Sequence, residues 1–71
     1  MTLDDIMSCR PGTILKKGGR RREILGWTAI GGLRYIVYKT PSKRGQINAE
    51  EIDSFRRWAE GAEYDKEAAI R

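Results

Sequence analysis

The 71-residue chain has no histidine, one cysteine and two prolines, and no apolar run in it approaches the length of a membrane span. Each absence removes a class of chemistry. Without histidine, a general base would have to be a carboxylate, lysine or tyrosine with a displaced pKa. The carboxylates lie towards the two ends, spaced as ordinary solvated helix residues, and no nucleophile stands at a recognisable spacing from an orienting base. No catalytic residue is therefore expected. The single cysteine, Cys9, permits no internal disulfide. With no histidine to join it, it makes no zinc site, so neither a metal nor another cofactor is expected. A chain without disulfides suits a reducing cytoplasm. MTLDDIMSCR carries acids where a secretory signal carries cations, and a membrane helix needs about 20 apolar residues. A cytoplasmic, non-membrane protein is the expectation.

A chain this short is expected to be a single domain over residues 1–71, near the lower limit for folding alone. Its core should supply only about 3–5 kcal/mol, and a homodimer would be a natural supplement. What is abundant is charge, and it is uneven. Residues 1–9 carry Asp4 and Asp5, for −2; residues 10–44 carry ten Lys/Arg against Glu23, for +9; residues 45–71 carry four Lys/Arg against seven acids, for −3; the sum is +4. A cationic centre between acidic ends suggests an anionic partner for the centre.

Along the chain, Thr2 is placed to cap a short N-terminal helix within residues 1–10, with Asp5 facing its free N–H groups and Leu3, Ile6 and Met7 on one side. Pro11 ends it. Two Gly-Gly pairs, Gly18-Gly19 and Gly31-Gly32, then separate three apolar, β-branched or aromatic stretches: 13–17, 21–30 and LRYIVYKT at 33–40. They predict a three-stranded antiparallel meander, with Gly26 as a bulge or bend. In the third strand Leu33, Tyr35 and Val37 share one face and Ile36 and Tyr38 the other. Apolar groups on both faces suit a sheet curled into a small barrel over residues 11–47. A capping box of Asn48 and Glu51, with Ile47 and Ile52 as hydrophobic staple, predicts a helix over 48–62 packed on it. Its stripe is Ile52, Phe55, Ala59 and Ala62, and Gly61 is its stop. Residues 63–71 read as a frayed helix or tail. The fold class is α+β.

The cations gather in two places. KKGGRRR puts Lys16, Lys17, Arg20, Arg21 and Arg22 on the first hairpin, and Lys39, Lys43 and Arg44 surround the loop after the third strand. The glycines join two strands, so this is not a P-loop, which needs a strand, GxxxxGK[ST] and a helix. Brought to one rim of a barrel, the two groups would contact several phosphates of DNA or RNA, with affinity falling as salt rises. Trp27, Tyr35 and Tyr38 are candidate stacking surfaces, with Tyr38 pointing away from Tyr35 and Val37. The alternative for each is ordinary: a solvated hairpin tip, and aromatics filling a core that has only six to draw on. On the helix, Arg56, Arg57 and Trp58 offer a separate protein-docking face.

PGTILKKGGRRREILGW, then LRYIVYKT, then a helix containing FRRWA, resembles small SH3-like β-barrel proteins of phages and mobile elements over about residues 11–60. The resemblance implies a binding module, since such barrels bind peptides, nucleic acids or partner proteins. Peptide-binding members use acidic loops, where this chain has basic ones. Two functions follow as expectations. One is a nucleic-acid-binding accessory or regulatory protein that grips through the basic hairpin. The other is a phage-type inhibitor of a host protein complex serving defence, of the anti-CRISPR kind, whose helical acids mimic phosphates.

Overall fold

The computed structural model describes residues 2–41 and 45–65. It is α+β: a short helix α1 (Leu3–Met7), strands β1 (Ile14–Lys17), β2 (Arg20–Ile30), β3 (Leu33–Lys39) and β4 (Ile47–Glu51), a helix α2 (Ile52–Ala59) and a strand β5 (Glu63–Tyr64). The strands form one antiparallel sheet in the order β4-β3-β2-β1-β5.

The two Gly-Gly pairs make the two tight hairpins expected of them. Gly31 and Gly32 both have positive φ, 60° and 80°, as a type I′ turn requires of its two central residues. Lys17 then faces Arg20, and Ile30 faces Leu33. The β2–β3 register shifts between Ile24 and Gly26, leaving Leu25 as the extra residue of a bulge, and a bulge bends its strand. α1 begins as its sequence dictates: the Thr2 hydroxyl accepts from Asp5 N at 3.2 Å, and the Asp5 carboxylate accepts from Thr2 N at 3.0 Å. Those hydrogen bonds, from the Thr2 backbone first, hold the Asp5 carboxyl below its ordinary pKa.

Three expectations need correction. The sheet does not close into a barrel: β4 and β5 remain as its two edges. Residues 48–51 are strand, not helix, because Ala49 and Glu51 pair with Val37 and Tyr35 along the free edge of β3. The helix therefore starts later, with Glu51 as its cap; one carboxylate oxygen accepts from Asp53 N at 3.0 Å and Ser54 N at 3.4 Å. The Asn48–Glu51 capping box does not form, since the Asn48 amide instead donates to Gln46 O at 3.0 Å. Finally, Glu63–Tyr64 is a strand pairing with β1, not a frayed helix. The remainder of the expected tail, 66–71, lies outside the described residues.

The core lies between one face of the sheet and α2. Ile6, Leu15, Ile24, Ile36, Ile52, Phe55 and Ala59 are buried, and Met7, Cys9, Tyr38, Trp58 and Ala62 pack around them. Ile52, Phe55 and Ala59 sit at the 3.6-residue spacing that gives α2 one apolar side. No helix among the described residues is long and apolar enough to cross a membrane.

Candidate nucleic-acid interface

The β1–β2 hairpin concentrates charge because its turn takes only two residues, so Lys16, Lys17, Arg20 and Arg21 form two adjacent cross-strand pairs. The chain neutralises most of this charge itself. Lys16 lies 3.7 Å from Glu63, an exposed and therefore weak pair. The Lys17 ammonium donates to the Trp58 carbonyl at 3.0 Å, placing a cation at the C-terminal end of α2. Arg21 lies 3.3 Å from the buried carboxylate of Asp65.

Arg22 is the most committed. It donates to a Glu50 carboxylate oxygen at 2.6 Å, and the other Glu50 oxygen accepts from the Ser54 hydroxyl at 3.0 Å. Its guanidinium lies over the rings of Trp58 and Tyr38, at 4.2 and 4.4 Å from their centroids. Phe55 extends the cluster, with its ring 5.5 Å from Tyr38 and 5.6 Å from Trp58. These contacts stitch β2, β3, β4 and α2 together at the edge of the core. Arg22 is thus a structural residue and not a free phosphate grip. The cause is register. Arg22 lies two residues before Ile24 on one face of β2, while Glu50 and Tyr38 occupy the same face of β4 and β3.

Arg20 differs from its neighbours. It is exposed, and its side chain has no ion pair or hydrogen bond among the described residues. It borders an open cleft of about 400 Å³ whose lining is Gly19, Arg20, Arg21, Arg22, Tyr38, Thr40 and Asn48. Among the described residues no acid lines it. The cleft lies where the register sets Tyr38 opposite both Ile24 and Asn48.

Of the residues singled out in the sequence, Arg20, Arg21, Arg22 and Tyr38 come together here. Lys16 and Lys17 do not line the cleft. Neither does Lys39, which follows Tyr38 and so points to the opposite face of the sheet. Lys43 and Arg44 lie outside the described residues. Tyr35 is half-buried on the face away from the helix. Trp27 is exposed outside the cleft, with the Arg34 guanidinium 6.0 Å from its ring centroid. On α2, Arg56 and Arg57 are exposed, Arg56 lying 3.9 Å from Asp53. Trp58 is half-buried, with its ring under Arg22 and its carbonyl taken by Lys17. Its ring and its carbonyl are thus both engaged by the basic hairpin, while part of its surface stays open to solvent.

Thr40 and Asn48 escaped the sequence reading. The capping-box pattern places Asn48 at the start of a helix, whereas the pairing of β4 with β3 sets it across from Tyr38. Cys9 has no part in the cleft. Its thiol donates to Asp5 O at 3.3 Å. Burial first, and the nearby Asp5 carboxylate second, push its pKa up, the direction away from an activated thiolate. Among the described residues no group of three or more acidic or cysteine side chains converges as a metal site would require. Comparison of the chain with protein-family models, with curated proteins and with solved structures gives no match.

Proposed function

We propose that the protein is a non-catalytic nucleic-acid-binding module, of accessory or regulatory role, that receives the phosphate backbone of DNA or RNA at the cleft beside Arg20. One observation carries this reading: among the described residues the cleft is lined by arginines, hydroxyls and an amide with no carboxylate, and the Arg20 side chain has no partner among them. An unpaired guanidinium beside hydroxyl and amide groups matches the oxygens of a phosphodiester. The cation cluster of KKGGRRR then has two roles. Arg22 builds the wall and Arg20 contacts the ligand, while Lys16, whose pair with Glu63 is exposed and screened, adds to the surrounding potential.

The SH3-like architecture belongs to the same proposal. Its support is the long, bulged β2, which pairs with β1 through its first half and with β3 through its second, and the placement of α2 between the fourth and fifth strands. A partly open sheet of this kind leaves its hairpin ends available as a binding rim.

The test is fluorescence anisotropy with labelled single-stranded and duplex DNA and RNA at about 50 mM salt. Wild type binds, and Arg20→Ala weakens binding about five- to tenfold, the loss of one charge-assisted phosphate contact, with an unchanged urea midpoint. If no oligonucleotide binds at low salt, or if Arg20→Ala binds as well as wild type, the reading is wrong.

A further inference from the structure

The face of the sheet turned away from α2 is apolar and bare. Cross-strand partners share a face, so the register places Val37 beside Ala49, Tyr35 beside Glu51 and Thr28, Leu33 beside Ile30, and Lys39 beside Ile47 and Glu23 on this side. Ile30, Leu33 and Ile47 are 65%, 51% and 69% exposed. The alternation in LRYIVYKT that suggests a closed barrel is real, but the sheet stays open, and no helix or second layer among the described residues covers its second apolar face.

We infer that this face is a self-association surface, on which two copies of the chain stack sheet against sheet with their β3 strands antiparallel about a two-fold axis at Val37. Charge selects both the partner and the orientation. Among the described strand residues the face carries Lys39, Glu23 and Glu51 around its apolar patch and Lys16, Arg21 and Glu63 towards β1, three cations against three acids, so it has no cationic surplus to draw a nucleic acid or an anionic bilayer. With strands antiparallel, the row holding Lys39 lies over the partner's row holding Tyr35 and Glu51, and each Lys39 has an acid within a strand's width. With strands parallel, Lys39 would lie on the partner's Lys39, a like-charge contact.

The size of the patch fixes the expected strength. Four rows at about 7 Å spacing on three strands about 4.8 Å apart give a footprint of about 300–400 Å². That is roughly half of the ~800 Å² each partner contributes to a standard interface. A dimer that dissociates in the range of tens to hundreds of micromolar is expected, concentration-dependent and reversible.

Sedimentation velocity of the full chain from about 10 µM to 1 mM tests this, with Leu33→Lys, Ile30→Lys/Leu33→Lys and Trp27→Lys alongside. Circular dichroism of each variant establishes that it is folded. Wild type should shift towards a dimer as concentration rises. The two variants on the apolar face should lower the association constant at least tenfold. Trp27→Lys, on the other face, should leave it unchanged. Wild type that remains monomeric at 1 mM overturns the proposal, as does a dimer that ignores both face variants or that Trp27→Lys alone disrupts. Binding of phosphatidylcholine vesicles or of another protein through Ile30 and Leu33 by a chain that never dimerises assigns the face a different occupant, and equally overturns it.

Discussion

Arg20 and Arg22 lie two positions apart on the same face of β2, yet only one is available to a ligand. Arg22 reaches Glu50 at 2.6 Å and lies over two aromatic rings, whereas Arg20 projects into solvent from the last rung before the turn. Removing Arg22 strands the Glu50 carboxylate and opens the Tyr38–Trp58 packing. Arg22→Ala should therefore cost about 2–3 kcal/mol in urea denaturation, most of the stability of so small a domain. Arg20→Ala should fall within about 0.5 kcal/mol of wild type. Equal losses for the two would mean that the Arg22 cluster is not the anchor described. The two arginines cannot be told apart in RRR, because what separates them is a carboxylate 28 residues away on another strand.

At the scale of elements, the first half of the chain was readable and the second was not. The Gly-Gly pairs fix turns, and turns fix registers, so β1, β2 and β3 follow from local chemistry. α1 follows equally from Thr2 and Asp5. β4 does not. Asn48 and Glu51 form a credible helix start on their own, but pairing with the exposed edge of β3 outweighs a cap worth about 1 kcal/mol. Glu51 caps α2 all the same, through its own side chain. Glu51→Ala should thus cost about 1 kcal/mol by thermal or urea unfolding, and Asn48→Ala no more than about 0.5 kcal/mol. The reverse order would restore the earlier helix start. β5 left no signature because two residues carry no period; its pairing with Leu15 and Lys16 exists only in the folded chain.

At the scale of the molecule, the uneven charge of the sequence is partly self-neutralised. Glu50, Glu63 and Asp65 from the acidic C-terminal part pair with Arg22, Lys16 and Arg21 of the basic hairpin. The +9 of the central segment therefore overstates the cationic surface. On the hairpin itself, Arg20 is the arginine without an acid partner among the described residues, and it stands at the border of a small open cleft. The charge asymmetry was legible from composition, but which cations remain free was not, since that depends on contacts made across the whole fold. A site with so few free cations should engage few phosphates, so its binding should fall with salt more gently than the count of lysines and arginines suggests.

The most direct test is the salt dependence of oligonucleotide affinity for wild type and Arg20→Ala, measured between about 50 and 200 mM salt. The slope of log K against log salt should correspond to a small number of phosphate contacts, and Arg20→Ala should lower it by about one contact. A slope identical in the two proteins, or affinity indifferent to salt, would contradict the assignment of the cleft beside Arg20 as the nucleic-acid site.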